Sequence, residues 1–372
     1  MGKARILLSI VAGARPNFMK IAPIIRELER HRSVFDYRLV HTGQHYDRNM
    51  SDVFFEELGI PPPDHHLNVG SGSHAAQTAA IMLRFEQVCL TERPQAVVVV
   101  GDVNSTLACS IVAKKLDIPV VHVEAGLRSG DTRMPEEINR MVTDAISDHC
   151  FVTEPSGVDN LRREGHPDSR IHFVGHVMID NLFHQLTALE GMATGDFSGD
   201  ALKRRLPAYG VVTLHRPSNV DDPACLRELV AGLSAVAEDL PLIFPVHPRT
   251  VARLAEFDLR LPPAIHRLAP LPYMAFLHLW KDARLVLTDS GGLQEETTAL
   301  GVPCITLREN TERPVTVDEG SNRLAGCDPA RIHALAREVL CAPQDAARQR
   351  PALWDGRAAE RIVAVLARTL AA

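Results

Sequence analysis

The sequence predicts an α/β protein with doubly wound parallel sheets, and three observations carry that reading. Short apolar runs alternate with longer amphipathic stretches along most of the 372 residues. Several runs are apolar throughout, such as Ala96 to Val100, which suits parallel strands covered on both faces. The rhythm breaks once and then resumes, which implies two sheets in succession.

The first set of predicted strands is 5–11, 37–42, 95–100, 119–123, 149–152 and 170–174. Helices are expected between them at 17–31, 74–92, 104–116, 136–147 and 155–164. The break falls at 188–207, where glycines and charges interrupt the pattern at the start of a second domain. Strands are expected again near 209–214, 242–246, 264–268, 284–288 and 303–307, and the tail at 356–371 reads as a helix. Ligands of open α/β sheets sit beyond the carboxyl ends of the strands, so the loops there are the places to look for function.

Composition narrows the classes. A formal charge of −6 argues against a general nucleic-acid binder, because phosphate contacts need a basic surface. The apolar start of the chain runs into Gly-Ala-Arg-Pro-Asn and reads as a buried first strand, not a signal peptide. No stretch is long enough to span a bilayer, so no membrane partner is expected. Seven scattered cysteines without a C-x-x-C pair read as small core hydrophobes in a reducing compartment, the cytoplasm.

The strongest motif is D-S-G-G-L-Q-E-E at 289–296, after the run Leu285 to Thr288. It predicts a strand, a glycine turn and a helix N-terminus, whose outward N–H groups and dipole favour an anion. Gly291 and Gly292 allow phosphate oxygens close to the backbone, while Glu295 and Glu296 suit hydroxyl groups such as those of a ribose. T-E-R-P follows at 311–314. The string therefore points to a sugar-linked nucleoside diphosphate.

Other strand ends carry chemistry too. G-A-R-P-N at 13–17 offers Arg15 as a fork for phosphate or carboxylate, with Lys20 one turn on. Asp102 and Glu124 follow apolar strands, and Glu136 and Glu137 open a helix. Each acid alone could be a cap or a first-turn acid. Three at one rim make a better case for acid–base chemistry. His215 with Arg216, and His247 with Arg249, end two strands of the second half. Two patterns are set aside. G-S-G-S-H-A at 70–75 lacks the strand context of a dinucleotide fingerprint, and His65-His66 lacks a second ligand pair with zinc-like spacing. No metal and no cofactor is expected.

In order along the chain, G-A-R-P with Lys20, G-Q-H (43–45), G-D (101–102), H-V-E-A-G-L-R, P-E-E-I-N-R, L-H-R, P-V-H, D-S-G-G-L-Q-E-E and T-E-R-P closely resemble the non-hydrolysing UDP-N-acetylglucosamine 2-epimerases. The resemblance covers nearly the whole chain. It implies a GT-B fold of two Rossmann-like domains with an interdomain cleft, and a homodimer. The domains would be 1–180, joined by a returning helix at 356–372, and a UDP-binding domain at 181–355. It implies Asp102, Glu124, Glu136 and His215 as catalytic residues. It places UDP on Arg15, Lys20, His247, Ser290, Gly291, Gly292, Glu296 and Arg313, with Glu296 on the ribose. The expected role is supply of a precursor for cell-surface polysaccharide.

The chemistry follows from the substrate. C2 of an N-acetylhexosamine has no carbonyl beside it in the ring, so its proton is not acidic. Loss of UDP from C1 acidifies it; a carboxylate removes it to give a 2-acetamidoglucal. Reprotonation on the other face and re-addition of UDP complete the epimerisation. Val315 stands where many members have Glu, Gly175-His176 where they have Gly-Asn, and Tyr46-Asp47 and Ala76-Gln77 also depart from the pattern of members activated by a second substrate molecule. Weak or absent allosteric activation is expected. The variant also resembles relatives acting on UDP-2,3-diacetamido-2,3-dideoxy-glucuronate. A hydrolysing 2-epimerase and an inactive nucleotide-sugar-binding module are the further alternatives.

Overall fold

The computed structural model describes residues 5–43, 55, 58–342 and 350–370, and Arg15 by its backbone alone. Gln44, His45, Tyr46 and Asp47 lie outside the described residues. The chain divides into two units, Met1–Asn181 with Ala352–Ala372, and Leu182–Pro351.

In the first unit β1 (Ile6–Ala12), β2 (Phe35–His41), β3 (His65–His66), β4 (Ala96–Val100), β5 (Val120–Ala125), β6 (His149–Val152) and β7 (Ile171–Phe173) form one parallel sheet, ordered β3-β2-β1-β4-β5-β6-β7. The connecting helices are α1 (Arg15–Arg30), α2 (His74–Glu92), α3 (Asn104–Lys115), α4 (Pro135–Ile146) and α5 (Pro155–Arg163). Strand β4 shows why the sheet needs covering on both faces. Ala96, Val98 and Val100 pack into one core with Ile21, Ile25 and Ile362, while Val97 and Val99 face Phe85 and Ala108 on the other side. Burying each valine contributes about 1.5–3 kcal/mol, so a central strand needs no polar face.

Helix α6 (Val177–Glu190) carries the chain into the second unit. There the order is α7 (Asp200–Arg205), β8 (Gly210–Thr213), α8 (Pro217–Val220), α9 (Pro223–Asp239), β9 (Leu242–Pro245), α10 (Pro248–Glu256), β10 (Ile265–Leu268), α11 (Tyr273–Trp280), β11 (Leu285–Thr288), α12 (Gly291–Leu300), β12 (Cys304–Thr306), α13 (Val315–Asp318), β13 (Asn322–Leu324) and α14 (Pro329–Cys341). Its parallel sheet is ordered β10-β9-β8-β11-β12-β13. The chain then returns to the first unit as α15 (Ala358–Leu370). Buried Asp180 accepts from the backbone N–H of Ala358 (3.0 Å) and Ala359 (2.7 Å), and Trp354 donates to the Thr153 carbonyl (3.1 Å).

Three sequence expectations need correction. His65-His66 is a short edge strand paired to Val40 and His41, not a solvated turn. Strand β13, Asn-Arg-Leu, has too little apolar character to be read as a strand, yet it pairs along β12. The cysteines are not all small core hydrophobes. Cys225 and Cys327 form a disulfide, with Cα atoms 5.9 Å apart, and Cys341 is exposed. The physical reason lies in α9 and α14. Gly232 of α9 lets Pro329 and Ile332 at the start of α14 approach closely, and Cys327, just before that start, pairs with Cys225 in the first turn of α9. A separation of 102 residues has no local signature, and the pairing removes the cysteine argument for a reducing compartment.

Candidate functional site

At the carboxyl ends of the first unit's strands, acids meet cations. Strand β4 is followed by Gly101, whose φ of +68° suits glycine; a Cβ there would also sit 3.0 Å from Lys20 Nζ. The turn delivers Asp102, which is not the helix cap, since Val103 holds that place. The Asp102 carboxylate pairs with Arg140, and its carbonyl accepts from Asn139 (2.9 Å). Strand β5 carries Glu124, which is buried and ion-paired to Lys20. The parallel register with β6 shifts between Val123 and Ala125, and Glu124 takes φ +73°. That conformation costs a non-glycine residue of order 1–3 kcal/mol and collects at functional positions. Asn17 of G-A-R-P-N accepts from Gly13 (3.2 Å) and Ala14 (2.9 Å) and donates to the Val100 carbonyl (3.2 Å), tying the first strand end to the fourth. Arg15 opens α1 beside this turn.

Helix α4 supplies the partners. Glu136 is an exposed first-turn acid. Glu137, which sequence reading left without a role, is buried and accepts from the N–H of Ser129 and Gly130, each at 3.0 Å. Arg140 bridges Glu137 (2.5 Å) and Asp102. Burial alone would raise the Glu137 carboxyl, but the two backbone donors and Arg140 hold it below the usual range.

The second unit is arranged for an anion. Ser290 is the N-cap of α12 and its hydroxyl does not cap, so Gly291 and Gly292 begin the helix with outward N–H groups. A Cβ on Gly292 would meet open space. Buried Asp289, just before them, accepts from the N–H of His215 (2.9 Å) and Arg216 (2.8 Å) and lies 2.9 Å from His215 Nδ1. Burial would raise Asp289; His215 and those two amides hold it low. The His215 ring is thereby fixed with Nε2 pointing away from Asp289, its centre 6.0 Å from the His247 ring. His247 itself caps α10. Arg313 pairs with Glu295, and Arg308 forks onto Glu312 at 2.9 and 2.7 Å.

Glu296 differs from all of these. It is buried in α12, and its nearest polar partner is the Tyr273 hydroxyl, which donates at 2.9 Å. Burial pushes the carboxyl up to about 7, with Glu295 adding to the rise and the tyrosine opposing it. Tyr273 was not legible as a site residue, because it opens α11, 23 residues before its partner. Asp289, Glu137 and Arg140 were likewise visible only as members of their motifs.

The comparisons agree with one another. The family model described as UDP-N-acetylglucosamine 2-epimerase matches residues 26–367. A UDP-N-acetylglucosamine 2-epimerase of Methanocaldococcus jannaschii is 43% identical over 367 residues, 96% of this chain and 98% of its own. A UDP-2,3-diacetamido-2,3-dideoxy-D-glucuronate 2-epimerase of Pseudomonas aeruginosa is 39% identical over 340 residues, 90% and 92% of the two chains. The crystal structure of the M. jannaschii enzyme in complex with UDP-GlcNAc and UDP has a TM-score of 0.83 at 42% identity, covering 98% of this chain and 100% of that one. That of the Neisseria meningitidis UDP-GlcNAc 2-epimerase bound to UDP-GlcNAc has a TM-score of 0.85 at 27% identity, covering 98% and 100%. The fold class is accordingly α/β of the GT-B kind, with two Rossmann-like units. On the match to 26–367 and on relatives above 40% identity over nearly its full length, this chain belongs to the UDP-N-acetylglucosamine 2-epimerase family.

Proposed function

We propose that this protein is an isomerase that interconverts UDP-N-acetylglucosamine and UDP-N-acetylmannosamine without releasing free sugar. The observation that carries the reading is the pair of carboxylates at the first unit's strand ends that each meet a cation, Glu124 on Lys20 and Asp102 on Arg140. A group that takes the C2 proton must be ionised beforehand, and a neighbouring cation keeps it so. Glu136, on the first turn of the helix that carries Arg140, is a third carboxyl for returning the proton.

The second unit holds the UDP portion in this reading. The N–H groups of Gly291 and Gly292, with Ser290, receive the diphosphate, and the α12 dipole stabilises the charge that builds on UDP as it leaves C1. His215 donates through Nε2 to the same diphosphate, oriented by Asp289. Glu296 accepts from the ribose hydroxyls. Arg15, His247 and Arg313 complete the set taken from the family pattern, and no cofactor enters any step. A cytoplasmic enzyme supplying a polysaccharide precursor is part of the same reading; among the described residues no helix is long and apolar enough to cross a membrane.

The same reading includes a homodimer. Helix α2 exposes Leu83 and Leu90, and α4 exposes Ile138, Met141 and Val142. Outward apolar residues on two helices of one unit suit a second copy as their cover. Sedimentation of the wild type should show a dimer, and charge placed at Leu83 and Ile138 should give monomers.

The P. aeruginosa relative keeps a modified sugar in view. Comparing kcat/KM for UDP-N-acetylglucosamine and for UDP-2,3-diacetamido-2,3-dideoxy-glucuronate decides between them. A clear preference for the first supports the reading, and turnover of the second alone replaces it.

A further inference from the structure

Two fully enclosed polar side chains in the first unit sit behind the proposed carboxylates. His122 and Asp144 are both 0% exposed. His122 Nδ1 lies 2.6 Å from Asp144 Oδ1, and Nε2 lies 2.8 Å from the Gly101 carbonyl. A carboxylate and a carbonyl only accept, so both ring nitrogens must donate. The ring thus bridges the Asp144 carboxylate on one side and the Gly101 carbonyl on the other. The other Asp144 oxygen accepts from the Gly126 N–H (3.0 Å) and from Arg128 (2.7 Å). Burial would raise the Asp144 carboxyl, but His122 and Arg128 hold it below the usual range.

The register of these contacts matters. His122 is two residues before Glu124 and Gly126 is two residues after it. One carboxylate thus grips the chain on both sides of the only left-handed non-glycine residue within β5. Gly126 itself takes φ +83°, and a Cβ there would lie 2.4 Å from the Gly157 carbonyl oxygen, so the clamp closes on a position only glycine fits. The His122 ring also holds the carbonyl of Gly101, the residue that turns the chain into Asp102.

We propose that the Asp144–His122 pair is a positioning device for the reaction, fixing the backbone on both sides of Glu124 and the turn that presents Asp102. The inference rests on the epimerase reading. Helix α4 then sets both acids at once, because Arg140 holds the Asp102 carboxylate and Asp144, four residues on, accepts from the N–H of Gly126, two residues past Glu124. Stability alone does not account for the pair, since apolar residues often replace buried ion pairs without loss. An apolar pair would neither donate to Gly101 nor accept from Gly126.

The test compares Asp144→Asn with Asp148→Asn in the full chain. Asp148 binds Lys114 (2.9 Å) and the Val120 N–H (2.8 Å) at the opposite end of β5, far from the acids in sequence and register. With UDP-N-acetylglucosamine, Asp144→Asn should lower kcat about 10²-fold through misplaced carboxylates while KM stays near the wild-type value. Asp148→Asn should keep kcat even where it lowers the melting temperature as much. Wild-type kcat in Asp144→Asn, or an equal loss in both variants at equal melting temperature, would overturn the proposal. If Asp144→Asn does not fold, nitrogen NMR of the wild-type histidine rings decides. Two bonded protons on the His122 ring support the clamp, and one proton contradicts it. A wild type without turnover would sink the epimerase reading instead, and the ring protons would still decide the His122 geometry.

Discussion

The proposed proton-handling acids Glu124 and Asp102 of the first unit are met by cations, whereas Glu296, the proposed ribose acid of the second unit, is met by a phenol. Glu124 has Lys20, Asp102 has Arg140, and Asp144 has His122 and Arg128. Glu296 has Tyr273, and burial holds its carboxyl at about 7. The difference separates two tasks. A proton-taking carboxylate must be charged before the substrate arrives, so a fixed cation belongs beside it. A carboxylate that only recognises hydroxyls gains its donors with the ligand, and a cation beside it would compete for the same oxygens.

The largest way to break this comparison is to neutralise the first-unit acid. Glu124→Gln should lower kcat by ~10²–10⁴-fold while the affinity for UDP, measured by calorimetry, stays near that of the wild type. A matching loss of UDP affinity would mean that Glu124 serves binding and that the division is wrong.

Next in size is the covalent tie of the second unit. Reducing the Cys225–Cys327 bridge releases a loop of 102 residues, and should cost about 2–4 kcal/mol of unfolding free energy in denaturant titration. The first unit's counterpart is not covalent. Asp180→Ala removes the acceptor for two N–H groups at the start of α15 and should cost ~1–3 kcal/mol. Burial pushes the Asp180 carboxyl up to about 6 from an ordinary 3.8, so the folded state binds this proton more tightly. The contribution to stability is therefore full below about pH 4 and declines as pH rises through 6, a slope that Asp180→Asn should flatten.

The smallest effect sharpens the second-unit side. With Glu296 near 7, only about a tenth of the carboxyl is ionised at pH 6 and about nine-tenths at pH 8, so UDP-N-acetylglucosamine should bind about tenfold more weakly at pH 6. Glu296→Gln should bind less tightly at pH 8 and lose that pH dependence. An unchanged dependence would assign it to another group and remove Glu296 from the ribose.

Much of this was legible in the sequence, and the exceptions have physical causes. Apolar strands such as Ala96 to Val100 declare themselves because they are buried on both faces, and the break near 188–207 falls just after the point where the chain changes unit. Strand ends bearing Asp102, Glu124, His215 and Ser290 follow from those strands. The edge strands β3 and β13 did not, because two histidines and Asn-Arg-Leu carry no apolar pattern. The partners were hidden for another reason. Arg140 is 38 residues from Asp102, Lys20 is 104 from Glu124, and Tyr273 is 23 from Glu296. Local spacing shows which side chains a turn presents, but only the packed fold shows which charge meets them.

Proton NMR of the protein with UDP-N-acetylglucosamine in deuterated water tests the central claim most directly. The account predicts UDP-N-acetylmannosamine carrying deuterium at C2, with no free sugar. An epimer that keeps its C2 proton, or accumulation of free N-acetylmannosamine, would contradict it.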